Sequence, residues 1–293
     1  MAPIAIGHAK DNKVYISNGI FHDDINAVKI DGPGDAIGNE IYIYDGLFLS
    51  PYISAVDNFN DYGEVYELSV FKNNKVLISG GNFTDYVDSI YGSYAYDWFN
   101  TSIYSVGNEV VITAGRFDLY DGIYASYAQS RFEDVYAYSN RIIIEGGDFP
   151  NQMIFHGSYA SGESGIYSVG NEVVISGGLV NAYQIFADYS VLSDIGASSS
   201  FSKNNKVILL GGDISGDIYG SYIYLKEDAN LGALSDGNSI EVYSGALLDQ
   251  ANLYAADSSY PNLVTFSNNS IRFIGFQGGN KWVVHKFMHL SSC

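Results

Sequence analysis

One short sequence motif, Asn-x-Val/Ile-x-Ile, recurs along the whole chain and limits what the chain can fold into. In the last three copies its final residue is Leu, Val or Phe instead of Ile. Its first residue is Asn12, Asn39, Asn74, Asn108, Asn140, Asn171, Asn205, Asn238 and Asn269. The copies follow one another at intervals of 27 to 35 residues, with a mean of about 32. Nine copies at so narrow a period predict a stack of similar units in which each unit contacts its neighbours.

The content of each copy excludes helical repeats of similar length. A glycine pair, or a single glycine, stands about seven residues after the asparagine, as in Gly80-Gly81 and Gly146-Gly147. Glycine in a helix interior costs about 1 kcal/mol relative to alanine. The residues between the asparagine and the glycine are rich in β-branched types and alternate with period two. The chain is therefore expected to be all-β.

Alignment of the copies gives columns of side chains. The positions two and four residues after the asparagine are apolar in all nine copies, from Val14 and Ile16 to Ile271 and Phe273. The position nine residues after it is also apolar, and reads Phe21, Phe48, Phe83, Phe117, Phe149, Val180, Ile214 and Leu247. These columns predict the interior face of stacked strands.

The column one residue after the asparagine points outward and carries charges of alternating sign. It reads Lys13, Glu40, Lys75, Glu109, Arg141, Glu172 and Lys206, followed by two serines. Side chains directly opposite on neighbouring strands lie about 5 Å apart, where like charges are destabilising. The alternation therefore predicts one repeat per rung of a parallel stack. The asparagine column itself predicts a ladder of stacked amides at a corner that uses left-handed backbone.

Two further patterns complete the repeat. The phrase Ile90-Tyr91-Gly92-Ser93-Tyr94 returns at Ile123 and Ile218, and a weaker strand such as Ile103-Tyr104 precedes the asparagine. The predicted fold is a right-handed parallel β-helix, or β-solenoid, of about nine rungs of roughly 32 residues with three short strands per rung. Residues 1–280 form its single domain, and residues 281–293 form a divergent C-terminal tail or cap.

Composition excludes two classes of function. The 293 residues carry 14 Lys+Arg against 33 Asp+Glu, a net charge of −19, which repels nucleic-acid backbones. No apolar run approaches the roughly 18 residues of a membrane-spanning helix. Cys293 is the single cysteine, so an internal disulfide is impossible.

The repeats resemble those in the passenger regions of autotransporters, the type V secretion proteins of Gram-negative bacteria. Asn-x-Val-x-Ile-x-Gly-Gly followed by Ile-Tyr-Gly-Ser-Tyr carries the resemblance, above all over Asn74 to Tyr94 and Asn205 to Tyr222. The resemblance implies a secreted or surface-exposed passenger, often adhesive, whose partner is a host-surface glycan or protein. The chain shows neither the signal peptide nor the C-terminal barrel of that family, and we expect it to be a fragment of a longer protein.

One repeated position offers a binding surface. The residue after the Ile or Leu of the second pattern is aromatic, and the column reads Tyr91, Tyr124, Phe155, Phe186, Tyr219 and Tyr254. If the aliphatic residue points inward, alternation directs these rings outward, where a stacked strip binds sugars or a protein partner. The alternative is that the rings lie inside or shield the strand. We expect the ladder to be the ligand-contact site if it is exposed.

Other candidate sites are weaker. Asp88 and Asp121 stand at equivalent positions in adjacent copies, and we expect them to be neighbouring but solvated turn acids. His285 and His289 have a spacing that suits a metal on a helix, but no helix is predicted there. No catalytic constellation, metal site or cofactor-binding motif is predicted.

Three functions remain open. The first is an adhesive or structural surface solenoid, secreted or on the cell surface. The second is a carbohydrate-active enzyme on a β-helix scaffold, which requires carboxylates clustered over two or three rungs in one groove. The third is a repeat spacer with no binding site. The sequence favours the first and third, and the oligomeric state is not predicted.

Overall fold

A computed structural model describes residues 7–49, 52–60, 68–84, 87–98, 101–192, 199–225 and 232–275. Within these ranges the regular structure is β-strand, apart from one 3₁₀ turn at Pro261–Leu263. The strands pair in parallel and stack as a β-solenoid, which confirms the predicted fold class. No helix in these ranges is long and apolar enough to cross a membrane. The predicted tail, residues 281–293, lies outside the described residues, as do His285 and His289.

Sheet A contains the strand that precedes the asparagine in each copy. This is the weak strand of the sequence pattern, and nine copies of it stack in chain order. Its strands are Gly7–Lys10, Gly34–Ile37, Leu68–Lys72, Ser102–Val106, Val135–Tyr138, Gly165–Val169, Ser199–Lys203, Ala233–Asp236 and Val264–Ser267.

Sheet B contains the Asn-x-Val-x-Ile strand itself and is the most regular part of the fold. Its nine strands are Lys13–Ile16, Glu40–Ile43, Lys75–Ile78, Glu109–Ile112, Arg141–Ile144, Glu172–Ile175, Lys206–Leu209, Ser239–Tyr243 and Ser270–Ile274.

Sheet C wraps around the rest of each coil and bends twice, so a coil holds more segments than the three predicted. A short segment follows the glycine bend, and a second carries the Ile-Tyr pattern. A two-residue corner, such as Gly92-Ser93, separates the second segment from a third. Its strands are Ile20–Phe21, Ile25–Asp31, Leu47–Phe48, Ile53–Asn60, Asn82–Phe83, Ser89–Tyr91, Tyr94–Asp97, Arg116–Phe117, Gly122–Tyr124, Tyr127–Ser130, Asp148–His156, Tyr159–Gly162, Leu179–Phe186, Tyr189–Leu192, Gly212–Tyr219, Tyr222–Leu225, Ala246–Tyr254 and Asp257–Ser258.

The register predicted from the alternating charges is confirmed. Lys75 pairs with Glu40 on one side and with Glu109 on the other, and Arg141 pairs with Glu109 and Glu172. The Lys75 ammonium lies 2.7 Å from a Glu109 carboxylate oxygen, and Arg141 Nε lies 3.4 Å from one of Glu172. These charges therefore oppose one another across successive rungs, as the sequence requires.

The asparagines form the predicted amide ladder at the corner between sheets A and B. Asn74 donates its backbone and side-chain N–H groups to Asn108 Oδ1, at 3.0 and 2.9 Å, and its side chain also donates to the Ala36 carbonyl. The left-handed backbone lies one residue earlier than expected, for example at Asn73 and Ser139. The ladder asparagine is thus free to align its amide while its predecessor makes the turn.

The interior is divided into two apolar cores. One lies between sheet B and the first part of sheet C and includes Ile112 and Ile144, both fully buried. The other lies between sheet A and the last part of sheet C. A polar waist separates them, where Ser105 Oγ lies 2.6 Å from Ser126 Oγ and accepts a hydrogen bond from Asn108.

The stack is regular over about six turns, fewer than the nine rungs predicted. Fully buried residues occupy the position beyond the glycine bend from Phe48 to Ile214, whereas Phe21 in the first coil is only partly buried. In the eighth coil Ile214 pairs with Leu248. The predicted residue, Leu247, is therefore one position too early, because the bend after Tyr243 contains an extra residue.

Candidate functional site

The corner at Gly92-Ser93 brings two rows of aromatic rings together. The outward-facing side chains before and after this corner converge because the chain bends sharply inward there: a Cβ at Gly92 would lie 3.1 Å from the carbonyl oxygen of Glu109 across the waist. The outer surface is consequently a groove that runs along the stack. We call its two rows the inner and outer ladders.

The inner ladder consists of rings stacked face to face at one-rung spacing. Centroids of successive rings lie 4.7 to 5.0 Å apart with interplanar angles of 9 to 20°. Its members are Tyr91, Tyr124, His156, Phe186, Tyr219 and Tyr254.

The outer ladder stacks in the same way after the corner and packs edge to face against the inner one. Tyr91 and Tyr94, for example, have centroids 5.1 Å apart at 67°. Offset-stacked and T-shaped contacts of this kind contribute about 0.5–1.5 kcal/mol each beyond the area they bury. The members of the outer ladder are Tyr94, Tyr127, Tyr159, Tyr189 and Tyr222.

Of the two alternatives that the sequence left open for the aromatic column, the structure shows the covered one along most of its length. Tyr91 and Tyr124 are each 5% exposed, Phe186 is 1% and Tyr219 is 6%, and Tyr254 is half-buried. Alternation correctly directs these side chains away from the core, but the bend then covers them with the outer ladder. Burial raises the pKa of the Tyr124 phenol far above its usual value, in keeping with a ring removed from water.

The predicted column is also wrong at one rung. Phe155 pairs with Ile123 and Ile185 and is fully buried in the core, whereas His156 pairs with Tyr124 and Phe186. Burial lowers the pKa of His156 to about 3, so the imidazole is neutral at neutral pH. A sequence signal existed: His156-Gly157-Ser158-Tyr159 aligns with Tyr91-Gly92-Ser93-Tyr94.

Two acids lie beside the inner ladder. Asp88 and Asp121 are neighbours, as predicted, and the Asp121 N–H donates to the Asp88 carbonyl at 3.0 Å. Both are only partly exposed, and the Tyr124 and Ser89 hydroxyls donate to Asp121 Oδ2. Burial and the nearby Asp121 charge raise the pKa of Asp88.

A third acid, Asp188, is fully buried at the waist, where most coils have serine. The hydroxyls of Ser190, Ser202 and Ser221 donate to its carboxylate. Burial raises the pKa of Asp188 to about 6 in spite of these bonds, which stabilise the charged form. The carboxyl is closed off from solvent and therefore cannot contact a ligand.

Both ladders stop at the third coil, and the groove continues toward the first coil without them. In the second coil Ser54 occupies the position of Tyr91, and Asp57 occupies that of Tyr94. In the first coil the same two positions hold Asn26 and Lys29. Small and charged side chains thus replace the ring stacks, and the strands Ile25–Asp31 and Ile53–Asn60 run through the corner position without a break.

The missing rings leave a cavity of about 280 Å³, which we call the groove pocket. Its base is formed by Tyr91 and Tyr94, and the exposed rings of Tyr52 and Phe59 stand at its sides. The Tyr52 centroid lies 6.0 Å from that of Tyr91 and 6.5 Å from that of Tyr94. The complete lining is Asp24, Lys29, Asp31, Tyr52, Ser54, Asp57, Phe59, Tyr91 and Tyr94.

Asp57 is the least exposed of the three carboxylates that line the pocket. Its nearest cation, the Lys29 ammonium, lies 3.5 Å away on a side chain that is 57% exposed, whereas the Asp57 side chain is 18% exposed. Burial raises the pKa of Asp57, Lys29 opposes the rise, and the charges of Asp24 and Asp31 add to it. Among the described residues, a single exposed lysine is therefore the ion-pair partner of this partly buried carboxylate.

A second aromatic column, on the outer face of sheet A, is more accessible than the inner ladder. Tyr104, Tyr136 and Tyr167 stack with centroids 4.1 and 4.8 Å apart, and Phe201 continues the column at 38% exposure. The Tyr136 hydroxyl of this column donates to Asp134 Oδ2 at 2.9 Å. Three acids and a lysine line the groove pocket together with aromatic rings, so the groove pocket is the stronger candidate site. In the described part of the chain, no cluster of three or more His, Cys, Asp or Glu side chains has the geometry of a metal site.

The fold defines this chain as a β-solenoid repeat protein. Comparisons with protein-family models, curated proteins and solved structures gave no match.

Sequence reasoning missed the groove pocket, although the sequence carries a signal for it. The Ile-Tyr-Gly-Ser-Tyr pattern begins only at Ile90, and the two earlier copies have Ile53-Ser54 and Ile25-Asn26 instead. Where a column of stacked rings is replaced by smaller side chains, the space of the missing rings is expected to remain open. The charged residues that face this gap, Asp57 and Lys29, lie at the outer-ladder position.

Proposed function

We propose that this chain is an adhesive module of a secreted or surface-exposed protein, and that it binds a glycan in the groove pocket. The carrying observation is the convergence of three tyrosine rings and three carboxylates on one open cavity. Small-molecule sites combine apolar and aromatic walls with a few polar groups that fix orientation. The groove pocket, at about 280 Å³, is near the lower end of such sites and suits a sugar unit.

The chemistry of a sugar matches this lining. Aromatic rings provide flat apolar surfaces for the C–H faces of a sugar ring. Carboxylates accept two hydrogen bonds or more from hydroxyl groups, and charge-assisted bonds are roughly twice as strong as neutral ones. Asp24, Asp31 and Asp57 provide these acceptors on two successive coils, next to Tyr91 and Tyr94 of the third.

The resemblance of the repeats supports the adhesive setting. A passenger of the autotransporter type presents a long solenoid outside the cell, where its partner is a glycan or protein of the host surface. The rigid parallel stack holds the walls of the pocket on strands from three coils, so the site is pre-organised. We infer that the chain contributes such a segment of a longer surface protein.

A glycan array and a cell-adhesion assay test the proposal. The variant is Tyr52→Ala with Phe59→Ala, because these rings are 42% and 40% exposed and their loss leaves the buried stack intact. The control is Tyr120→Ala, at a ring that is 81% exposed and outside the pocket. We expect wild type and control to bind the same glycans and the double variant to lose at least about tenfold in affinity.

Two results would contradict the proposal. Equal binding by the double variant would remove the groove pocket as the site, and the sheet A column would then be tested by Phe201→Ala. Absence of binding and adhesion for all variants would instead favour a spacer with no binding site of its own.

A carbohydrate-active enzyme is the second candidate, and one observation favours it. Carboxylates are clustered over adjacent coils in one groove, and burial raises the pKa of Asp57 while Asp24 and Asp31 lie around it. Glycoside hydrolysis uses two carboxyl groups on either side of the bond that is cleaved, and the general acid of the pair has a raised pKa. Release of new reducing ends from a bound polysaccharide, abolished in Asp57→Asn, would establish this activity; binding without release supports the adhesive module.

A further inference from the structure

The charged residues of the groove pocket indicate which charge a bound glycan should carry. Asp24, Asp31 and Asp57 face one cation, Lys29, so the formal charge of the lining is −2. The chain as a whole carries −19. A field of this sign concentrates cations at the pocket and repels acidic sugars. A ligand that brings its own positive charge is therefore favoured over neutral and acidic ones of the same shape.

The most enclosed carboxylate is also the one most in need of a cation. Asp57 is held by Lys29 at 3.5 Å and by an equally long contact, 3.5 Å, from the Asn26 amide. Both contacts are longer than the roughly 2.7–2.9 Å of a strong charge-assisted bond. A ligand ammonium placed against Asp57 forms a shorter bond, and the exposed Lys29 side chain is free to move into solvent.

The remaining groups around Asp57 also favour a donor-rich cation. Asn26 Oδ1 is buried and has no hydrogen-bond partner among the described residues. The faces of tyrosine rings attract cations within about 6 Å of the ring centre. Tyr94 stacks on Tyr127 of the fourth coil, and the rings of Tyr52 and Tyr94 both line the pocket.

We propose, on the basis of the function proposed above, that the groove pocket selects an amino sugar with a free ammonium group. The sugar ring lies against Tyr52 and Tyr94, and the ammonium replaces Lys29 at Asp57. Its additional N–H groups are available to Asp24 and Asp31. N-acetylation removes the charge and adds bulk, and a uronic acid introduces a charge of the wrong sign.

The test compares three ligand sets of equal chain length by calorimetric titration of the purified chain: glucosamine oligomers, N-acetylglucosamine oligomers and galacturonate oligomers. Measurements at about pH 6 keep the amine protonated, since amines of this kind titrate near pH 7.7–8.0. We expect the glucosamine oligomer to bind about tenfold more tightly than the acetylated one. We expect no binding of the galacturonate oligomer.

Two pocket variants act in opposite directions. Asp57→Asn is expected to abolish the preference for the free amine, and Lys29→Met is expected to strengthen it by removing the competing ammonium. The control is Asp213→Asn, an exposed acid outside the pocket. Circular dichroism and retained binding of the acetylated oligomer show that each variant is folded.

The outcomes separate the two proposals. If the acetylated oligomer binds as tightly as the free amine, or if Asp57→Asn keeps the preference, the selection of an amino sugar is wrong while glycan binding stands. If none of the three ligand sets binds to a folded wild type, while other glycans bind on the array, the amino-sugar proposal alone falls. If nothing binds in either experiment, glycan binding falls with it.

Discussion

The filled and the open parts of the groove share one parallel strand register and differ in the side chains that face the groove. From the third coil onward, paired ladders of rings close the concave corner and remove it from water. In the first two coils the same positions hold Asn26, Lys29, Ser54 and Asp57, and a cavity remains. In this solenoid a cavity forms where the stacked rings are replaced by smaller side chains, and the last rings of the two ladders form the base of the cavity.

The difference also separates stabilising residues from binding residues. A ring inside the stack contacts a ring above, a ring below and one across the corner, so its removal leaves a cavity. A ring at the pocket has an exposed face and few such contacts. We therefore expect substitutions in the filled part to change stability, and those in the open part to change binding.

The largest effect is expected in the core that both parts share. Ile53 lies behind the pocket and Ile123 behind the filled groove; both are fully buried and occupy one column. Ile53→Asp and Ile123→Asp each bury an unpaired charge, at a cost above about 4 kcal/mol. Loss of the cooperative thermal transition in circular dichroism measures this. Ile20→Asp, at a side chain that is 64% exposed, is the control, and native-like melting of either core variant contradicts the shared core.

The second effect compares one ring from each part. Phe186→Ala removes a ring that is 1% exposed and stacked between His156 and Tyr219, and we expect a loss of about 3–5 kcal/mol. Tyr52→Ala removes a ring that is 42% exposed, and we expect a loss of at most about 1 kcal/mol. Urea unfolding of both variants gives the two values. Equal losses would show that the pocket rings are also structural.

The third effect is pH-dependent and separates the buried acid at the waist from acids at the surface. The folded-state pKa of Asp188 is about 6, above its unfolded value of about 3.9, so the folded state binds the proton more tightly. The contribution of Asp188 to stability is therefore greatest below about pH 4 and is lost as the pH rises through about 6. Two pKa units correspond to about 2–3 kcal/mol.

The measurement is the free energy of unfolding of wild type and Asp188→Ser at pH 4 and pH 7. Serine is the residue that Ser93, Ser126 and Ser221 supply at this position in other coils. We expect the variant to gain about 2–3 kcal/mol relative to wild type between the two pH values. Asp213→Asn, at an exposed acid, is expected to show no such change. A pH-independent difference would mean that Asp188 is not the titrating group.

The repeat pattern predicted sheets A and B well because each of their columns has one cause. The amides stack, the aliphatic residues fill the core, and the charges of Lys75 and Glu109 alternate to avoid like-charge contacts. Each of these causes acts between a residue and its equivalent one repeat away, so alignment of the copies is sufficient to detect it.

The groove depends on contacts between different columns, which alignment does not show. Alternation gives the side of the strand on which Tyr91 lies, but whether that side is exposed depends on the bend at Gly92 and on Tyr94 beyond it. His156 was missed because the column was defined by its aliphatic neighbour, and Phe155 fills that place in its coil. The pocket was missed because its signal is the absence of a pattern.

The smallest effect on stability is expected at two ion pairs, one on sheet B and one in the groove pocket. We expect only the pair in the pocket to affect ligand binding. Lys75 pairs with Glu109 on sheet B, and Lys29 pairs with Asp57 in the pocket. Partly exposed pairs contribute about 0.2–1 kcal/mol, so Lys75→Met and Lys29→Met are expected to lower the free energy of unfolding by similar small amounts in urea titrations. Only Lys29→Met is expected to alter amino-sugar affinity, since only Lys29 occupies the place of the ligand ammonium. Equal affinity in both variants would show that Lys29 and the bound ligand do not compete for Asp57, and that the open part of the groove holds its charges for stability alone.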